Sequence, residues 1–205
     1  MAIPLVSPFT CIVAGPSSSG KTQLTMGIVK HAKSVIVPPP ETILWCYTIF
    51  QPVFNDLKSV ATLHEGLPDL SMFDGARSCL LVLDDFMSSL DGRVTDLFTK
   101  ISHHKRVSVI FMSQNFFFSS KESRTISLNA HYLFLMKVTR DLLQIDTLAR
   151  QMYPRDSKFL VEVYKDATRL PYSYLLIDLK QETPDKFRLR TGVLPGETQF
   201  VYVKK

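Results

Sequence analysis

The sequence predicts an α/β fold, a mostly parallel central sheet flanked by helices with a small antiparallel extension toward the carboxyl end, and three observations carry it. Apolar bursts at 10–14 (TCIVA), 43–47 (ILWCY), 79–83 (CLLVL), 107–112 (VSVIFM), 132–138 (YLFLMKV) and 173–179 (SYLLIDL) lack polar alternation, as strands buried on both faces do. Amphipathic stretches separate them, the spacing of helical crossovers. The first burst runs directly into GPSSSGKT at 15–22, a loop that needs a strand before it and a helix after it. With 205 residues, 45% hydrophobic and 21% charged, the chain can bury one core, so a single domain is expected over 1–205. Its core would span about 8–180, with the β extension over about 181–205.

The elements follow in order. Residues 20–33 have helical composition, and Pro38, Pro39 and Pro40 then block helix and lead into the strand at 43–47. Residues 92–102 (GRVTDLFTKIS) and 141–152 (DLLQIDTLARQM) place Leu, Ile, Phe and Met three or four apart, as helices laid on a sheet do. From about 170 the runs shorten to KFRLR (186–190) and QFVYV (199–203), punctuated by Pro184, Gly192, Pro195 and Gly196. Cys11, Cys46 and Cys79 sit inside apolar runs without CxxC spacing and read as buried small hydrophobes in a reducing compartment. No signal peptide is visible and no apolar run approaches the roughly 18 residues that span a bilayer, so a soluble intracellular protein is expected. A net charge of +5 favours a polyanionic partner without identifying one.

The loop at 15–22 comprises Gly15, Pro16, Ser17, Ser18, Ser19, Gly20, Lys21 and Thr22, the GxxxxGK[ST] pattern of a phosphate cradle. Glycines let the backbone wrap phosphates, the amides of 17–22 point inward at a helix start, and the helix dipole adds positive potential. Lys21 would reach the β and γ phosphates, and the Thr22 hydroxyl would be a ligand to Mg²⁺. The cofactors this implies are ATP and Mg²⁺. The NKxD motif that normally accompanies guanine specificity is absent.

CLLVLDD (79–85) closes an apolar strand with two aspartates. Asp84 is the candidate for the Mg²⁺ shell, and Asp85 for the carboxylate that orients or deprotonates the attacking water. A glutamate is more usual at the second position, and either aspartate could instead cap a following helix. The strand at 107–112 ends in Ser113, Gln114 and Asn115; Gln114 can donate to phosphate and accept from water, as a γ-phosphate sensor must, or it is a polar turn.

In this order and spacing GPSSSGKT, LLVLDD and VSVIFMSQN resemble the FtsK/HerA superfamily of P-loop ATPases, of the additional-strand catalytic-glutamate type. SHHKRVSVIFMSQNFF (102–117), RTISLNAHYLFLMK (124–137), QIDTLARQMYP (144–154) and PYSYLLIDL (171–179) are similar to viral genome-packaging ATPases of adintoviruses, adomaviruses and Polinton elements, and more distantly of poxviruses. The resemblance covers about residues 10–200 and implies a pentameric or hexameric ring. Such a ring pumps double-stranded DNA, without regard to sequence, into a capsid, and works with capsid or portal-vertex proteins in host cytoplasm or nucleus. It also implies an arginine supplied in trans, for which Arg106, Arg124 and Arg140 are candidates against a surface reading of each.

Sequence-independent pumping leaves no base-reading motif. Two basic clusters could contact DNA or be solvated faces: Lys100, His103, His104, Lys105 and Arg106, and Lys186, Arg188, Arg190, Lys204 and Lys205. Phe116, Phe117 and Phe118 read as packing, including between subunits. The competing functions are a P-loop kinase and a nucleotide-binding regulatory module without turnover.

Overall fold

The computed structural model describes residues 3–86, 92–115 and 121–204, with the backbone alone at His103. β1 (Leu5–Val6) precedes β2 (Thr10–Ala14), every residue of which is buried. The phosphate-loop sequence joins β2 to α1 (Lys21–Lys30), and α2 (Ala32–Val35) and β3 (Ile36–Val37) follow. β4 (Thr42–Tyr47) and β5 (Thr62–Glu65) flank a 3₁₀ stretch, Pro52–Leu57, and β6 (Cys79–Asp84) is again wholly buried. α3 (Gly92–Asp96) passes through a π-helical stretch, Leu97–Ile101, into α4 (Ser102–His104), where a single helix over 92–102 is expected from sequence. In that stretch the Thr99 hydroxyl donates to the Thr95 carbonyl at 2.9 Å.

β7 (Val107–Ser113), α5 (Lys121–Leu128), β8 (Tyr132–Met136), α6 (Leu143–Met152) and α7 (Ser157–Ala167) complete the core. β9 (Tyr174–Asp178), β10 (Leu189–Arg190) and β11 (Val201–Tyr202) close the chain. One nine-stranded sheet runs β11-β10-β9-β8-β2-β7-β6-β4-β5, and β1 pairs with β3 in a separate parallel ladder. The ladders from β8 across to β5 are all parallel. The antiparallel part begins at β9, earlier than the boundary near 181 expected from sequence, because β9 already runs against β8.

Strand periodicity explains the unbroken apolar runs. Ile12, Leu81, Leu83, Phe111, Leu133 and Leu135 face one side of the sheet, with α6 and α7 residues Ile145, Leu148 and Leu160. Their neighbours Cys11, Val13, Leu80, Val82, Ile110 and Phe134 face the other side, with Leu24, Ile28 and Val29 of α1 and with Trp45. Both faces are covered, so the central strands are buried throughout and mostly apolar. All three cysteines are buried and unpaired, as the sequence suggested. Among the described residues no helix is long and apolar enough to cross a membrane.

From β2 the chain crosses to β4 on one side of the sheet and returns past β2 only to reach β8 on the other. The carboxyl end of β2 is therefore a topological switch point, where open α/β sheets bind ligands. β7 stands between β2 and β6 as an additional strand, so the ends of β2, β6 and β7 face one crevice.

Candidate functional site

The loop after β2 is pinned from beneath. Gly15 N donates to Ser113 O at 3.1 Å, tying the loop to the end of β7, and Ser19 N donates to Pro16 O at 3.2 Å. Gly15 admits no side chain, because a Cβ there would stand 2.6 Å from Met136 Cβ. Ser18 and Gly20 take left-handed backbone, φ 61° and 98°, before α1 begins at Lys21, and alternation of this kind is what builds an anion-binding nest of amides. The Lys21 ammonium donates to the carbonyls of Gly15 at 2.6 Å and Pro16 at 2.9 Å. Burial lowers its pKa, and Asp84 and Asp85 pull it back up.

Asp84 ends β6 inside the crevice, 7% exposed, and its Oδ2 has no hydrogen-bond partner. Burial, reinforced by the neighbouring Asp85 charge and opposed by Lys21, pushes its carboxyl up to about 6. A buried carboxylate is costly without a countercharge. Among the described residues no group of three His, Cys, Asp or Glu gathers to hold a metal. Mg²⁺ does not require one: it takes one or two protein oxygens and fills its octahedron with phosphate and water. Thr22 and Asp84 line the same cavity, and an unpartnered buried oxygen and a hydroxyl on one cavity fit that donor set.

Asp85 follows with φ 61°, exposed, its carbonyl accepting from Thr48 Oγ1 at 3.4 Å. A non-glycine residue held there is strained, and such strain gathers at functional sites. The helix start that either aspartate could cap falls within 87–91, outside the described residues. Gln114 emerges exposed at the end of β7, and next to it Ser113 Oγ accepts from Asn115 N at 3.1 Å. The loop residues 17–22, Asp84, Asp85 and Gln114 all line one cavity of about 830 Å³. Gly15 and Pro16 line instead a smaller cavity of about 190 Å³, with Arg140 and Gln144.

The candidate arginines lie elsewhere. Arg106 precedes β7, at the end of the sheet opposite the crevice, where it donates to Ala76 O at 3.4 Å and pairs with Glu41 at 3.8 Å. Arg124 is exposed on α5, and Arg140 is exposed beyond β8. Sequence grouped Arg190 with a surface basic cluster, and the structure corrects this. Arg190 is fully buried, paired with Asp178 at 2.9 Å, because β10 presses it against β9. Arg188 pairs with Asp185 and Lys204 with Asp156, both at 2.8 Å. In the other cluster His104 and Lys105 are exposed, while Lys100 pairs with Asp96 at 2.7 Å. Phe116, Phe117, Phe118 and Lys205 and the His103 side chain lie outside the described residues.

Sequence reasoning missed the opposite wall of the cavity, formed by Gln51, Tyr172, Tyr174, Leu194 and Glu197. Tyr174 OH donates to Glu197 Oε2 at 2.6 Å and accepts from Val193 N at 2.8 Å. Burial and the Glu197 carboxylate push this phenol far up, so it stays a donor. The available signal was the PYSY and GVLPGE compositions, which mark turns but not where the turns land.

No protein-family profile and no curated protein matches the sequence. Solved structures do match in fold. Two are of the genome packaging NTPase B204 of Sulfolobus turreted icosahedral virus 2, in complex with ATP-gammaS and with AMPPCP. Each has a TM-score of 0.55 at 12% identity; the first covers 86% of this chain and 94% of that one, the second 85% and 94%. The cytoplasmic domain of the Type VII secretion ATPase EccC of Thermomonospora curvata has a TM-score of 0.55 at 15% identity over 85% of this chain, which corresponds to 24% of that chain. With its additional strand and a glycine-rich loop at the switch point, the chain has the P-loop NTPase fold of these proteins.

Proposed function

We propose that this protein is an ATP-hydrolysing motor that translocates double-stranded DNA into a viral capsid. The observation that carries the enzymatic part is Asp84: a buried carboxylate with an unpartnered oxygen, facing the loop of Lys21 and Thr22. A structural carboxylate at that depth would be paired. The motor reading is supported by the motif resemblance to FtsK/HerA packaging ATPases and by the shared fold of B204, a genome packaging NTPase.

Loop amides and Lys21 hold the triphosphate and neutralise its charge, leaving the γ phosphate toward Asp85 and Gln114. Thr22 and Asp84 would hold Mg²⁺, which when bound polarises the phosphate oxygens. Asp85 accepts a proton from the attacking water, and Gln114 donates to the γ phosphate while accepting from that water. Phosphate loss is then felt by Gln114 at the end of β7, whose Ser113 carbonyl anchors Gly15. Arg106, remote from its own crevice, and Arg124 are the residues we assign to the neighbouring subunit's site in a pentameric or hexameric ring. Lys100, His104 and Lys105 are the described residues we assign to phosphate contact with DNA. Work at sites of virion assembly in cytoplasm or nucleus, with capsid or portal-vertex proteins, completes the proposal.

The test is phosphate release by purified protein with and without double-stranded DNA, with a mass determination in ATP and Lys21→Ala as control. DNA stimulation that disappears in the control, from a ring-sized species, is expected. DNA-indifferent turnover by a monomer sinks the motor reading in favour of a kinase.

A further inference from the structure

Only part of the cavity is accounted for by phosphate and metal. Apart from Gln51, its remaining wall comes from two segments far along the chain: the turn into β9, carrying Tyr172 and then Tyr174 at the strand's start, and the loop after β10, carrying Leu194 and Glu197. Both close on α1. Tyr172 Cβ lies 3.3 Å from where a Cβ on Gly20 would stand, and Leu194 Cδ1 lies 2.7 Å from where one on Gly27 would stand. At about 1.5 Å rise per residue, Gly27 is roughly 9 Å beyond Lys21 along the helix, so this wall reaches well past the loop.

Tyr172 is singular in this wall. It is 69% exposed although aromatic, and its φ of 62° is a conformation that a bulky side chain adopts only under constraint. Glu197 is held differently. Its Oε2 takes the bonds from Tyr174 OH at 2.6 Å and Leu194 N at 3.0 Å, and its Oε1 has no protein partner among the described residues. The loop owes its shape to Gly192 at φ 71°, where a Cβ would lie 2.4 Å from Thr198 O.

The geometry points to this wall as the nucleoside subsite, with the Tyr172 ring against the base and the Glu197 carboxylate accepting from the ribose hydroxyls. The inference rests on the nucleotide-binding reading above and adds what sets affinity beyond the triphosphate. A carboxylate is an acceptor only, so it rewards hydroxyl donors and gives nothing to a sugar that lacks them. A stacked ring holds any base face without selecting adenine by hydrogen bonding.

The test measures binding of ATP, 2′,3′-dideoxy-ATP and inorganic tripolyphosphate to the full chain. Tyr172→Ala is expected to weaken ATP by about tenfold, the usual scale of one base stack, and to leave tripolyphosphate unchanged, with Tyr172→Phe near wild type. Glu197→Leu offers the sugar neither a donor nor an acceptor. It is expected to erase most of the preference for ATP over the dideoxy analogue, a ratio taken within one variant and independent of its stability. Equal losses of ATP and tripolyphosphate in Tyr172→Ala, or an unchanged ratio in Glu197→Leu, overturn the subsite. Failure of wild type to bind even tripolyphosphate would instead remove the nucleotide reading beneath it.

Discussion

Two strands of the sheet end in a buried aspartate, and the two are treated in opposite ways. Asp178, at the end of β9, is 2% exposed and accepts from Arg190 at 2.9 Å and from Lys180 N at 3.1 Å. Asp84, at the end of β6, is 7% exposed with one oxygen unpartnered, and its nearest charges are Asp85 and Lys21. Asp178 stands where the antiparallel strands close the fold, and there the chain supplies the countercharge itself. Asp84 stands at the switch point, and there the chain supplies no hydrogen-bond partner for its Oδ2. A buried carboxylate is thus informative through what it lacks.

The same substitution at each position should change stability in opposite directions. Asp178→Asn leaves the Arg190 guanidinium buried without its anion and is expected to cost about 3–5 kcal/mol, read from denaturant unfolding. Removing both charges, as Asp178→Leu with Arg190→Met, should return most of that loss, since the pair repays little more than its own desolvation. A double variant as unstable as the single one would show that the pair itself stabilises the sheet end.

Asp84→Asn should raise stability and abolish hydrolysis. In the folded chain the carboxyl titrates near 6, against an ordinary value of 3.8. Below pH 4 both folded and unfolded chains hold the proton and nothing is lost. Between the two values only the unfolded chain releases it, so stability falls as pH rises, and above about 6 the full cost persists. At roughly 1.4 kcal/mol per unit the variant should exceed wild type by on the order of 3 kcal/mol at pH 7, with no difference at pH 4. Melting curves across that range in nucleotide-free protein check it, and saturating Mg²⁺ with ATP should stabilise wild type far more than the variant. The smallest effect belongs to a pair kept in solvent: Lys100→Ala, which breaks an i,i+4 contact with Asp96, should cost a few tenths of a kcal/mol and less in high salt.

The sequence was most legible where a residue's surroundings are set by its own strand or loop. Six apolar bursts became six strands, and 15–22 became the loop between a strand and a helix, because burial on both faces and the Gly and Ser run each leave an unbroken signature. Two-residue strands such as β1 and β3 are too short to leave one. α7 did leave one, with Leu160, Val163, Tyr164 and Ala167 buried at helical spacing, and it went unread. Arg190 was misassigned because a basic run looks alike whether it faces water or an aspartate twelve residues away. Tyr172 and Glu197 were invisible for a related reason: they meet the phosphate loop only through tertiary approach.

The position of β2 also bears on how the chain folds. Its partners come late: Phe9 meets Ser108 across 99 residues and Thr10 meets His131 across 121. The strand that carries the cradle must therefore wait for both flanks, and those loops have to close before the contacts reward them. During synthesis the glycine-rich segment leaves the ribosome long before there is a sheet to hold it, so the loop takes its shape as a late event that reports a finished core.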